Sequence, residues 1–155
     1  MGTDDVQWLD DQEQRAWRGL LTMQARLAAR LNHELQRTSG LSLSDYDVLV
    51  HLTDVPDRRR RYNDLGASLD WDKSRLSKQV SRMAARGLVE KEGCEEDRRG
   101  AYVVLTPVGR RAIEAAAPAH VELVRRLVFD GLTPRQVSTL AAIAESVLKR
   151  LGAVE

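Results

Sequence analysis

The residues best equipped for chemistry lie between positions 72 and 86, where Lys73, Ser74, Arg75, Ser77, Lys78, Ser81 and Arg82 alternate with Leu76, Val80, Met83 and Ala84. On a helical wheel turning about 100° per residue, the four apolar residues gather on one side. Ser74, Arg75, Lys78, Ser81 and Arg82 gather opposite, with Lys73 and Ser77 on the flank. Arg and Lys donate to phosphate or guanine, and serine is short enough to let a helix approach base edges, so this face suits the major groove of duplex DNA. A helix with such a face can also be simply a solvated one, and its neighbours decide between the two. Further along, Arg98 and Arg99 follow Asp97 in a polar stretch between two apolar runs. Two arginines there suit a phosphate backbone or a narrow minor groove. Glu95 and Glu96 oppose plain attraction to a polyanion, and Asp97 is placed to orient an arginine through a bidentate pair. The four arginines at 58–61 read either as a solvated loop or as a phosphate contact. The latter adds salt-sensitive affinity without choosing a base.

Other chemistries lack a constellation. Cys94 is the single cysteine, which excludes an internal disulfide framework and a multi-cysteine zinc site and fits a reducing compartment. Its acidic neighbours Glu92, Glu95 and Glu96 disfavour a thiolate, so it reads as incidental rather than as a redox sensor. His33, His51 and His120 have no metal-ligand spacing, and there is no phosphate-binding glycine loop or nucleophile elbow. The expectation is a protein with no catalytic site, no metal and no cofactor. The first residues lack a basic and then apolar leader, and no apolar run approaches the roughly 20 residues that span a bilayer, so a cytoplasmic protein without a membrane partner is expected.

A formal net charge of +1 does not announce a nucleic-acid partner, but its distribution does. Residues 58–86 hold nine basic and three acidic side chains, a local +6 that leaves −5 for the remainder. A central basic segment between acidic arms is the footprint of local polyanion binding.

The elements that must position these residues follow from periodicity. At 155 residues, 43% hydrophobic and 30% charged, the chain suits one compact domain, or one domain plus an appended helical arm. Trp17, Leu20, Leu21, Leu27, Leu31 and Leu35 mark a long first helix over about 12–37, with an apolar stripe wide enough for two neighbours. Ser42 and Asp45 read as a capping box for a second helix that ends at Pro56. A basic loop at 57–61 follows. Asn63 or Asp64 caps a short third helix to Leu69, and Asp72 caps the fourth, which ends at Gly87. Strands are expected at 88–92 and 101–105 around a polar loop at 93–100. Thr106-Pro107 starts a fifth helix that Gly131 stops or kinks, and Thr133-Pro134 starts a last one. The order is α-α-α-α-β-β-α-α. This is a mainly α chain with a small β-hairpin wing, an α+β class, in which a short helix, a tight turn and a cationic helix precede the hairpin: a winged helix-turn-helix.

Here the runs Asp72-Lys73-Ser74-Arg75-Leu76-Ser77, Arg86-Gly87-Leu88-Val89, Asp97-Arg98-Arg99 and Leu105-Thr106-Pro107-Val108-Gly109-Arg110 resemble the MarR family. The likeness covers about 41–111, and flanking helices extend it over nearly the whole chain. It implies an N-terminal dimerisation helix at 1–40, a winged helix-turn-helix DNA-binding unit at 41–106 and C-terminal dimerisation helices at 107–155. It also implies a triangular homodimer, acting as a repressor on a pseudo-palindromic double-stranded operator. The wide apolar faces of the first, fifth and last helices agree, because a winged unit alone cannot cover them. A two-fold dimer predicts half-sites about one helical turn, roughly 10 bp, apart. The resemblance further implies a small-molecule effector, anionic or phenolic, between the dimerisation helices and the winged unit; Trp17, His33, Tyr46 and His51 read either as lining residues or as plain core or surface residues, and the sequence assigns no pocket. The alternative is a helical protein-interaction module whose basic helix serves only solubility.

Overall fold

The computed structural model describes residues 6–94 and 97–152, with side chains described for all of these but residues 94 and 97–99. Among them the order is α1 (Asp11–Ser39), α2 (Leu43–Thr53), β1 (Arg59–Arg61), α3 (Tyr62–Leu69), α4 (Lys73–Ala85), β2 (Val89–Cys94), β3 (Asp97–Leu105), α5 (Pro107–Leu127), a 3-10 turn (Phe129–Gly131) and α6 (Pro134–Gly152).

Caps define most helix starts. Asp10 and Glu13 form a capping box on α1, and Ser42 and Asp45 form one on α2, each satisfying two otherwise orphaned N–H groups. The Asp72 carboxylate accepts from the Arg75 N–H at 2.7 Å to start α4. That helix closes in a Schellman motif: Gly87 at φ 75° donates to the Ala84 carbonyl and Leu88 donates to the Met83 carbonyl, both at 3.0 Å. Helix α3 departs from expectation. It begins at Tyr62 with Arg61 as its N-cap and no side-chain cap bond, because the chain enters it directly from a paired strand rather than from a loop capped by Asn63 or Asp64.

That strand is the main departure. Arg58, in the left-handed region at φ 55°, turns the chain so that Arg59, Arg60 and Arg61 pair antiparallel with Val104, Val103 and Tyr102. The supposed basic loop is therefore an edge strand, and the sheet has three strands in the order β1-β3-β2 rather than a two-stranded hairpin. The hairpin is also longer than 88–92 and 101–105, since β2 runs to Cys94 and β3 begins at Asp97. Backbone pairing carries it into a polar sequence that side-chain alternation does not mark.

The core lies within the winged unit: Val48, Leu49 and Leu52 of α2, Leu65 of α3, Leu76, Val80 and Met83 of α4, and Val89, Val103 and Leu105 of the sheet. Leu35 of α1 and Ile113 and Ala116 of α5 join it. The Thr106 hydroxyl donates to the Gly87 carbonyl at 2.6 Å and accepts from the Gly109 N–H at 3.0 Å, welding the start of α5 to the end of α4. Gly109 is required there, because an added Cβ would stand 2.0 Å from the Leu88 carbonyl oxygen. Beyond this anchor the helices emerge from the core. Leu35 is the one buried residue of α1, and α6 has none. No helix among the described residues is long and apolar enough to cross a membrane.

Candidate nucleic-acid interface

Helix α4 is divided as its wheel predicts. Leu76, Val80 and Met83 are buried, Ala84 is half-buried, and Lys73, Ser74, Arg75, Ser77, Lys78, Ser81 and Arg82 are all exposed. The exposed set is not uniformly free. The Arg75 guanidinium lies 4.2 Å from the centre of the Trp71 ring, the Lys91 ammonium donates to the Ser81 hydroxyl at 2.7 Å, and the Arg82 Nε–H reaches the Lys78 carbonyl at 3.3 Å. Lys91 is a β2 residue, so that bond ties the middle of α4 to the wing.

The buried side of α4 carries a polar anchor that the apolar period conceals. Asp45, 3% exposed, accepts from the Gln79 amide and the Arg86 guanidinium, both at 2.6 Å, and from the Ser42 N–H at 2.9 Å. Arg86 also donates to the Gly40 carbonyl at 2.9 Å. One carboxylate thus caps α2 and holds the last two turns of α4, while Arg86 reaches the end of α1. A buried charge persists only when matched and hydrogen-bonded, and this one is. The signal available in the sequence is Gln79 interrupting the apolar stripe.

In the wing, Arg59 sits 4.1 Å and Arg61 5.5 Å from the Tyr102 ring centre; Arg61 donates to the Tyr102 hydroxyl at 3.1 Å, and Arg59 pairs with Glu92 at 3.2 Å. These arginines brace the sheet face. Arg60 points the other way, half-buried, and its Nε has no hydrogen-bond partner among the described residues. Asp97, Arg98 and Arg99 begin strand β3. Their side chains, with that of Cys94, lie outside the described residues, as do Glu95 and Glu96.

The candidate effector-lining residues do not share one environment. Trp17 and His33 are exposed on α1, Tyr46 is buried on α2 against the His120 ring at 4.3 Å between centroids, and His51 Nδ1 lies 2.8 Å from the Asp47 carbonyl. Burial lowers the His120 pKa from its ordinary value and raises that of Asp47, each opposed by the charge of the other. A hollow of about 870 Å³ opens elsewhere, between α1, the end of α5 and α6, with Met23, Leu27, Leu140 and Ile143 on its walls and Arg26, Arg30 and Arg135 at its margin. No cluster of three or more His, Cys, Asp or Glu residues suited to a metal occurs among the described residues.

A family model described as MarR family matches residues 39–100. Among solved structures, the chain is similar to AbsC, a MarR family transcriptional regulator from Streptomyces coelicolor, at 38% identity and TM-score 0.89 over 96% of this chain and 99% of that one. It is also similar to Sco3205, another MarR family transcriptional regulator from Streptomyces coelicolor, solved in complex with DNA, at 37% identity and TM-score 0.90 over 96% and 93% of the two chains. CouR from Rhodococcus jostii RHA1, solved with p-coumaroyl-CoA bound, aligns at 25% identity and TM-score 0.69 over 83% and 87%. No curated protein matches the chain.

Proposed function

The chain belongs to the MarR family of transcriptional regulators, and from that premise we propose that it is a homodimeric, sequence-specific duplex-DNA-binding regulator, a repressor working in the cytoplasm without a catalytic step. The observation that carries this is the two-sided α4: one side is sealed in the core by Leu76, Val80 and Met83, and the other offers Lys73, Ser74, Arg75, Ser77, Lys78, Ser81 and Arg82 to solvent. In this reading α4 enters the major groove, and Arg98 and Arg99 of the wing lie over phosphate or in the adjacent minor groove, with Asp97 orienting one of them. The 37% identity to Sco3205, whose structure contains DNA, supports it. A helical protein-interaction module with an idle basic helix finds no support in that kinship.

Burial supports a division of labour. Residues 41–106 form the DNA-binding unit, and residues 1–40 and 107–155 supply dimerisation. Trp17, Leu20 and Leu21 of α1 and Ile143, Val147, Leu148 and Leu151 of α6 are all 45–64% exposed, an apolar surface that a second copy would cover. A small-molecule effector belongs to the reading by analogy with CouR and its bound acyl-CoA. Its binding would have to favour one separation of the two α4 helices over another.

The test is equilibrium binding to a duplex as salt is raised. A DNA-binding surface loses affinity linearly in log[salt], with a slope of about −0.9 for each phosphate neutralised. Absence of measurable duplex binding at low salt would overturn the proposal.

A further inference from the structure

Trp71 lies in the turn between α3 and α4 and is half-buried against the core. Its backbone N–H donates to the Gly66 carbonyl at 3.0 Å, and its backbone carbonyl packs 3.3 Å from where a Gly66 Cβ would stand. The preceding Asp70 holds the left-handed conformation at φ 54°, and the following Asp72 is locked as the α4 N-cap. The backbone is therefore fixed on both sides of Trp71, and packing of its half-buried side chain against the core restrains the indole. The Arg75 guanidinium lies over it at 4.2 Å.

Resting on the DNA-binding reading above, we infer that Trp71 is a positioning residue for sequence recognition: it stacks on Arg75 in the free protein and holds the guanidinium ready to donate to a base edge. Three physical points carry this. An arginine on an exposed helix face otherwise samples many rotamers, and fixing it on binding opposes association. Stacking occupies only the π-face of the guanidinium and leaves its N–H donors in the plane, free for a bidentate pair with guanine O6 and N7. Arg75 also stands in the first turn of α4, the part of a recognition helix that meets base edges. Lys73 and Lys78 have no aromatic partner among the described residues, and they remain suited to phosphate.

Two readouts test this on the full-length protein. The first needs no DNA: in side-chain NMR the Arg75 Nε–H and Cδ protons are shifted upfield by the indole ring current in the wild type, and the shift disappears in Trp71→Leu. The second is a mutant cycle on a selected operator duplex, in proteins whose melting temperatures establish that they are folded. Relative to wild type, Trp71→Leu is expected to weaken binding roughly two- to tenfold, with Trp71→Phe in between because its ring attracts a cation less strongly. The loss falls on the base pair that Arg75 reads, and in an Arg75→Ala background the three residues at position 71 give equal affinity. Trp71→Phe keeps the cycle informative if the leucine variant is too unstable. An absent ring-current shift, equal affinities of all three in proteins that retain Arg75, or a loss that persists undiminished with Arg75→Ala would overturn the inference. Failure of the wild type to bind any duplex, with the ring-current shift present, would instead overturn the DNA-binding reading on which it rests.

Discussion

At the scale of the residue, the surface of α4 divides its labour by chemistry. Arg75 can form two parallel hydrogen bonds to one base, whereas Lys73 and Lys78 are point charges better matched to phosphate. Arg75→Ala or Ser74→Ala is expected to relax base preference, and removing a bidentate pair costs about 1–3 kcal/mol at that base pair. Competition with single-base-pair operator variants measures it, and an unchanged preference profile would contradict the assignment. Asp45 acts on the other side of the helix. Replacing it with alanine strips three donors of their acceptor: the Ser42 N–H, the Gln79 amide and the Arg86 guanidinium. Arg86, at 44% side-chain exposure, recovers water, but Gln79 does not. The expected loss of unfolding free energy is about 2–3 kcal/mol, read from urea unfolding, and a loss below about 0.5 kcal/mol would show that the network is not an anchor.

At the scale of the element, the wing and α4 are joined rather than merely adjacent, since Lys91 bonds Ser81 and the first strand β1 stiffens the hairpin base. Arg98→Ala or Arg99→Ala is expected to weaken binding across most sequences and to reduce the salt slope by about 0.9 for each phosphate that the variant no longer neutralises. Unchanged affinity in both variants would remove the wing from the interface. The helices were legible in the sequence because their signals are local: Ser42 with Asp45, Asp72 before Lys73, Gly87 after Arg86 and Thr106 with Pro107 each fix a helix end within a few residues. Strand β1 was not, because three consecutive arginines carry no alternation and their pairing partners, Tyr102 to Val104, are distant in the chain. The same holds for the site. The amphipathic period of α4 exposed its cationic face, and the four-residue spacing of Trp71 and Arg75 is a local signal that the apolar period does not use. The grip of Asp45 on Gln79 and Arg86 depends on tertiary geometry that no spacing encodes.

At the scale of the whole molecule, the protomer looks unfinished. Its core centres on the winged unit and takes in Leu35 of α1 and Ile113 and Ala116 of α5, while α6 leaves Ile143, Val147, Leu148 and Leu151 in solvent and α1 leaves Trp17, Leu20 and Leu21 there. A surface of this kind is expected to be buried in a symmetric dimer of about twice the 17.4 kDa chain. Leu148→Glu is expected to shift sedimentation toward the monomer while the winged unit stays folded, and with it to abolish tight operator binding. A variant that stays dimeric would show that α6 does not form the interface. The most direct test of the account is selection of bound duplexes from a random pool by the wild-type protein. Two copies of α4 on one two-fold axis predict an enriched motif with inverted half-sites whose centres lie about 10 bp apart. Recovery of a pool no different from the input, or of a motif without two-fold symmetry, would contradict it.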